Sequence, residues 1–297
     1  MLMDLLYIIS NQTQGIRNLC DIPDLKIPTD TKKQIENNIT EIYSDYKAFM
    51  ESPDMPDYNL YIKSQHGLEL ASTMYRKDQG HNLYISDSLL KEPSMKERLF
   101  HEFTHIYDSE YLDKEYAYRK YSIRDRTKTH VYTEVHAEQI RFLFMLGCKT
   151  VNDTPKNIDH NTEIFDLKGE RVTFYKYLNN FKAALEKYYV DKMKTCYSVS
   201  KDLIGDIADK ISYYIGAFTI YQRYCTYKID DLIDLSVIAD YWNIDIPKII
   251  AFYCEHDLQN SNWKTLKKYD IYQIGNILML DLMNSAREKF KIIDDNN

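Results

Sequence analysis

Two histidines four residues apart, His101 and His105, lie in the segment of this chain that most firmly predicts a helix. Ser94 and Glu97 have the spacing of a capping box, in which two side chains satisfy N–H groups at the start of a helix. Apolar residues follow at helical spacing, namely Met95, Leu99, Phe103 and Ile106. We therefore expect a helix to about Glu110, with both imidazoles on one face and about one turn apart.

This histidine spacing suits a metal ion, because two imidazole nitrogens one turn apart can both reach a single zinc at roughly 2.0–2.1 Å. Glu102 follows the first histidine directly and can swing over the open coordination position. There it would take a proton from zinc-bound water and return it to a leaving amine. A surface helix with two histidines is the simpler alternative, since the pattern arises by chance about once per hundred such chains.

A candidate third ligand, Glu134, lies 29 residues after His105 on a second predicted helix, about Val131 to Leu146. Two histidines near it are rival ligands. His136 is two residues from Glu134, so a helix points the two side chains to opposite sides and only one of them can bind the ion. His130 lies one turn before Glu134. An ordinary solvated glutamate beside an arginine is the alternative to a ligand.

Residues around Glu134 favour it as the ligand. Ala137 and Glu138 continue its helix face, and Arg141 lies two turns on. A carboxylate row beside an arginine supplies hydrogen bonds that orient ligands from outside the coordination sphere, and Glu138 is the candidate for that role. Asp108, three residues after the second histidine, is expected to accept the other ring N–H of a ligating histidine.

The whole chain predicts an α+β fold with two domains, residues 1–150 and residues 151–297. Three alternating segments predict strands of a small sheet: Tyr58–Ser64, Leu68–Arg76 and Asn82–Ser86. Helical periodicity predicts a helix over residues 31–51 and further helices over Tyr175–Met193, Leu203–Tyr227, Leu235–Trp242, Ile246–Glu255 and Tyr272–Phe290. The Tyr and Ile stripe at 211–221 is interpreted as core. We expect the sheet to pack on the histidine helix and the C-terminal half to be mostly helical.

The two motifs together resemble the zincin metallopeptidases of the gluzincin type, whose third ligand is a glutamate on a second helix. The run His-Glu-Phe-Thr-His-Ile-Tyr-Asp, followed by Glu134-x-x-Ala137-Glu138-x-x-Arg141, is similar to the core of lethal-factor-type proteases. It is also similar to the ImmA/IrrE-type peptidases of phages and mobile elements. The resemblance covers about residues 80–147 and implies a zincin-like arrangement of sheet and helix.

The resemblance implies a function for each motif residue. His101, His105 and Glu134 would bind Zn²⁺, and Glu102 would be the general base of peptide-bond hydrolysis. The strand Asn82–Ser86 would be an edge strand that holds an extended peptide by main-chain hydrogen bonds. The expected partner is therefore a protein or peptide substrate.

One position departs from the resemblance. Lethal-factor-type enzymes have a tyrosine seven residues before the ligand glutamate, where it stabilises the oxyanion, and this chain has Thr127 there. Tyr132, His130 and Tyr121 are the candidate substitutes, and the sequence does not choose among them. A structural or vestigial metal site in a non-enzymatic phage or mobile-element protein is therefore the competing function.

Composition restricts the remaining function classes. The net charge is −7 and the isoelectric point about 5.7, without a Lys/Arg-rich block, so nucleic acid is not an expected partner. A faint helix-turn-helix likeness at 235–254 has acidic surroundings, which disfavours contact with DNA phosphates. The apolar stretch Ile211–Tyr221 is too short to span a bilayer.

Cysteine usage and the N-terminus predict a cytoplasmic protein. Met1–Ile9 is apolar but lacks the basic region and cleavage site of a signal peptide. An odd number of widely spaced cysteines without a Cys-x-x-Cys pair is typical of a reducing compartment. They are Cys20, Cys148, Cys196, Cys225 and Cys254. The oligomeric state is left open.

Overall fold

The computed structural model describes residues 19–64, 70–116, 123–166, 169–226, 235–255 and 268–293. Within these ranges the chain forms eight α-helices and three small sheets, so the predicted α+β class is confirmed. Tyr121 and the N-terminal segment Met1–Ile9, for which we made predictions, lie outside the described residues. None of the helices in the described ranges combines the length and the apolar character that crossing a bilayer requires.

The N-terminal half begins with helix α1 (Thr29–Phe49) and continues into a three-stranded sheet of β1 (Tyr58–Lys63), β2 (Ala71–Arg76) and β3 (Gly80–Ser86). The sheet is mixed, in the order β1-β3-β2, because β3 pairs in parallel with β1 and antiparallel with β2. All three predicted strands are confirmed to within a few residues.

The predicted edge strand is wrong. The strand over Asn82–Ser86 belongs to β3, which is hydrogen-bonded to a neighbour on both sides and cannot receive a further strand. The two edges belong to β1 and β2. The error has a physical cause. Alternation of apolar and polar residues identifies a strand but does not give its position in the sheet. That position depends on the parallel pairing of β1 with β3, which are separated by β2 in the sequence.

Two long helices follow the sheet, α2 (Met95–Tyr116) and α3 (Ile123–Met145). They are the two helices predicted to carry the metal ligands, and both are longer than expected. We expected the first helix to end at about Glu110 and the second to begin at about Val131, but the segment between these positions contains neither Gly nor Pro. Polar composition alone does not end a helix, so the helices extend into it from both sides.

The C-terminal half is mostly helical, as predicted. Its helices are α4 (Phe174–Glu186), α5 (Lys201–Tyr224), α6 (Ser236–Trp242), α7 (Ile246–Glu255) and α8 (Lys268–Lys289). Two strand pairs were not predicted, because three residues are too few to show alternation. They are the antiparallel pair β4 (Glu163–Phe165) and β5 (Arg171–Thr173), and the parallel pair β6 (Ser198–Ser200) and β7 (Lys291–Ile293).

Helix α3 lies at the centre of the described structure and packs against α2, α5 and α8. One apolar core joins residues of both halves, including Phe103, Val135, Tyr214 and Leu278, all fully buried. The chain halves therefore share a core, and α3 presents different faces to the sheet-bearing half and to the C-terminal helices. The predicted domain boundary near residue 150 stays a prediction.

Candidate metal centre

Three predicted ligands meet between α2 and α3. One ligand atom from each of His101, His105 and Glu134 lies within 4.8 Å of the other two. Glu134 Oε2 is 3.4 Å from His101 Nε2 and 3.5 Å from His105 Nε2. Two donors about 2.0–2.2 Å from one tetrahedral ion lie roughly 3.3–3.6 Å apart, so these spacings fit a shared zinc without large movement.

Helix α2 holds the two histidines because its opposite face is fixed in the core. Leu99 and Phe103 are fully buried, and the Phe103 ring lies 4.6 Å from the ring of Tyr43 on α1. The imidazoles of His101 and His105 then project together toward α3, with ring centroids 4.9 Å apart. The amphipathic pattern therefore determines which way the histidines point. The predicted capping box is not formed, because the Ser94 hydroxyl instead binds Glu92 and accepts from Arg98.

A hydrogen-bonded chain behind His101 orients its ring. His101 Nδ1 lies 3.2 Å from Glu138 Oε2, and Arg141 Nη1 donates to Glu138 Oε1 at 2.6 Å. The Tyr177 hydroxyl donates to the same Glu138 oxygen at 3.3 Å. Glu138 and Arg141 are both almost fully buried. Because Glu138 accepts at Nδ1, the Nε2 lone pair of His101 is left for an ion, which is the outer contact predicted for Glu138.

The structure gives Asp108 a different partner from the predicted one. Its Oδ1 accepts a hydrogen bond from His136 Nδ1 at 2.8 Å, and both side chains are fully buried. His136 is thus engaged on the face of α3 opposite Glu134, where the ring of Tyr132 stacks on it at 5.8 Å. Spacing within one helix did not reveal this, because the contact depends on how α2 and α3 lie side by side.

The structure describes two of the three candidate oxyanion stabilisers and places them differently, whereas Tyr121 lies outside the described residues. Tyr132 is fully buried beside His136, away from the ligand cluster. His130 lies next to the cluster, with Nδ1 3.5 Å from Glu134 Oε1 and Nε2 2.7 Å from Asp209 Oδ1. Partial burial opposes its charge, but Asp209 and Glu134 outweigh it and raise the pKa of His130 to about 10. Both its nitrogens therefore face carboxylates.

Charges in the cluster shift the pKa values of the Glu134 and Glu102 carboxyl groups in opposite directions. Burial opposes ionisation of Glu134, but His105, His101 and His130 hold its pKa well below the usual range. Burial raises the pKa of Glu102 and the charge of Glu134 raises it further, while the two histidines and the Thr73 side chain oppose the rise. Glu134 is thus kept ionised as a ligand requires, whereas Glu102 is the more basic of the two.

His101 is the cationic partner of two carboxylates, those of Glu134 and Glu138. Burial lowers the pKa of His101, but Glu134 and Glu138 outweigh that effect and raise it to about 10. The ligand cluster therefore favours a positive charge at the point where its three ligand atoms meet. A metal cation bound there would satisfy the same carboxylates and release that proton.

Helix α5 adds a residue that the sequence did not predict, Tyr213. Its ring meets the ring of His101 edge-on, 5.4 Å between centroids and 87° between planes. Burial raises its pKa well above the usual range, and the nearby carboxylates of Glu134 and Asp209 raise it further. Tyr213 lies in the stripe that was interpreted as core. Its neighbours Ile211 and Tyr214 are fully buried, whereas Tyr213 is only partly so.

A glycine sets the distance between α5 and α3. A Cβ atom on Gly216 would lie 2.8 Å from Glu138 Cβ and 2.8 Å from the Val135 carbonyl oxygen. Only a glycine permits this approach. Asp209 and Thr219 contact α3 on either side of it, through His130 and through Gln139, whose Nε2 donates to the Thr219 hydroxyl at 2.8 Å. The spacing of Asp209, Tyr213 and Gly216 on one helical face was the available sequence signal.

Comparison of the chain with protein-family models, with curated proteins and with solved structures finds no match. A function for this protein therefore depends on the geometry and chemistry of the site itself.

Proposed function

We propose that this protein is a zinc-dependent peptidase. The observation that supports this most is the donor set: two imidazoles and one ionised carboxylate, with Glu134 Oε2 3.4–3.5 Å from both histidine nitrogens. His₂Glu is a donor set of catalytic zinc, in which the fourth position is left for water or substrate. The group formed by the described residues has three members, whereas a structural zinc site is usually closed by four protein ligands.

Each residue of the proposed site has a separate role in the reaction. Zinc held by His101, His105 and Glu134 would supply a Lewis acid that lowers the pKa of water and polarises a carbonyl. Glu102, with its raised pKa, accepts the proton of the attacking water and returns it to the amine nitrogen as the peptide bond breaks. Glu138 keeps His101 oriented through its Nδ1 contact.

The edge of the sheet offers a place for the substrate main chain. Strand β2 is an edge strand that packs on α2, and Thr73 at its centre lies beside Glu102. An extended peptide that pairs with the edge of β2, which no strand of the described ranges covers, would therefore pass the general base. This assigns to β2 the role that the sequence had suggested for residues 82–86.

A cytoplasmic location accords with the cysteines, all within the described ranges and without a disulfide among them.

Glu102→Gln tests the proposal, because it removes the base and leaves the three ligands in place. The zinc-loaded wild type is expected to release fluorescent peptides from fluorescein-labelled casein. The variant should retain its zinc, measured by plasma mass spectrometry, and lose cleavage by at least about 100-fold. Glu97→Gln, on the same helix and five residues earlier, is the matched control and should cleave as the wild type does. Cleavage by Glu102→Gln at the wild-type rate, with equal zinc, contradicts the proposal.

A further inference from the structure

The reaction assigned to this site produces a negatively charged oxygen, and the motif residues do not supply a donor for it. As the water oxygen bonds to the peptide carbonyl carbon, the carbonyl π electrons move to the oxygen, and the water proton passes to Glu102. The carbonyl forms again when the C–N bond breaks and the nitrogen takes that proton. A hydrogen-bond donor aimed at this oxygen lowers the barrier.

The nearby histidine is not available as this donor. His130 directs one nitrogen at Asp209, 2.7 Å away, and the other at Glu134, 3.5 Å away. Turning either nitrogen toward a substrate would break a contact with a carboxylate. Tyr132 lies on the opposite face of α3, fully buried against His136. His130 is therefore held by two carboxylates and Tyr132 lies away from the ligand cluster, whereas Tyr121 lies outside the described residues.

We propose that Tyr213 of helix α5 donates its phenol hydrogen to the carbonyl oxygen of the peptide under attack, an inference that rests on the proposed peptidase function. Its ring packs edge-on against His101, and it is only partly buried, as are Glu102 and His105. Glu102, His105 and Tyr213 thus all keep some solvent-accessible surface, as contact with a substrate requires. The Tyr213 hydroxyl makes no hydrogen bond to any residue in the described ranges, so it is available to a substrate.

The position of Tyr213 is fixed by the contacts of its own helix. Asp209, one turn earlier, binds His130, and Gly216, about one turn later, allows α5 to lie against Glu138. Lys210 Nζ lies 4.8 Å from the ring centroid and covers the ring. A phenol held between two anchor points loses little conformational freedom when it binds substrate. The C-terminal half would thus complete an active site whose metal ligands all come from the N-terminal half.

Tyr213→Phe tests this directly, because the ring packing on His101 stays and only the hydroxyl is lost. We expect kcat on labelled casein to fall about 100- to 1,000-fold with KM nearly unchanged, as for the loss of one oxyanion donor. Zinc content and the thermal unfolding midpoint should equal those of the wild type. Tyr253→Phe, which removes a buried phenol outside the site, is the matched control and should leave kcat unchanged.

A binding readout separates this role from a structural one. A pool of phosphonamidate peptides, which carry tetrahedral anionic oxygens, and the matching peptide amides are titrated calorimetrically into zinc-loaded protein. Tyr213→Phe should bind the phosphonamidates about 100-fold more weakly and the amides equally well. Equal weakening of both, or wild-type kcat in Tyr213→Phe, overturns the assignment of Tyr213. If the zinc-loaded wild type is no more active on casein than Glu102→Gln, the proposed function falls and the Tyr213 inference with it.

Discussion

The contact between α5 and α3 can be perturbed by a single methyl group. In Gly216→Ala the new Cβ would lie 2.8 Å from both Glu138 Cβ and the Val135 carbonyl oxygen. Carbon atoms in van der Waals contact lie about 3.5–4.0 Å apart, so the helices must separate by roughly 0.7 Å or more. Overpacking of this kind costs about 1–3 kcal/mol of unfolding free energy.

Gly205 provides a matched control in the same helix. A Cβ on Gly205 meets no atom within 4 Å, so Gly205→Ala adds a methyl group without a clash. Both substitutions gain about 0.8–1.0 kcal/mol of helix propensity, because alanine loses less backbone entropy than glycine. The propensity gain cancels when the two variants are compared. Gly205→Ala is therefore expected to be the more stable of the two by about 1–3 kcal/mol.

Urea unfolding followed by far-ultraviolet circular dichroism measures this difference. Zinc titration provides a second readout, because displacement of Glu138 would loosen the orientation of His101 and weaken zinc binding about 10-fold or more. Gly205→Ala should bind zinc as the wild type does. Equal unfolding free energies for the two variants, within about 0.5 kcal/mol, would refute the close approach at Gly216.

Two further predictions concern buried groups. Arg141→Met leaves the Glu138 carboxylate buried without its 2.6 Å partner, so we expect it to lower the unfolding free energy by about 3–5 kcal/mol. Adding Glu138→Gln should restore part of that loss, and a double variant no more stable than Arg141→Met would show that the ion pair is not the cause. Burial and Asp153 raise the pKa of the Cys148 thiol to about 11. At pH 8 iodoacetamide should therefore label exposed Cys196 far faster, and Cys148 labelling should increase as the pH approaches 11. Comparable labelling of both cysteines in the folded protein at pH 8 would contradict the burial of Cys148.

Local sequence signals predicted those parts of the molecule that depend on local physics. Alternation and helical periodicity gave all three strands of the main sheet and most of the C-terminal helices to within a few residues. The exception is α4, which ends at Glu186 and not at the predicted Met193. The ligand cluster was also predictable. Four-residue spacing put His101 and His105 on one face, and the opposed positions of Glu134 and His136 on α3 identified a choice between them.

The remaining features depend on contacts between distant elements. The central position of β3 follows from its pairing with β1, some twenty residues earlier, which no local pattern encodes. Asp108 binds His136 because of the way α2 and α3 lie side by side. Tyr213 reaches the site only because Gly216 brings α5 against α3. Such features require the packed structure, since the same residues at the same spacing also form an ordinary core helix.

The zinc content of the protein tests the central claim most directly. Metal-depleted protein is reconstituted with zinc, dialysed and analysed by plasma mass spectrometry, together with His105→Ala, Glu134→Ala and the control His160→Ala, whose histidine lies outside the cluster. We predict about one zinc per chain in the wild type and the control, a weaker site in Glu134→Ala and none in His105→Ala. A wild type that takes up no zinc, or His105→Ala that retains the full amount, would contradict the assignment of this cluster as a metal centre.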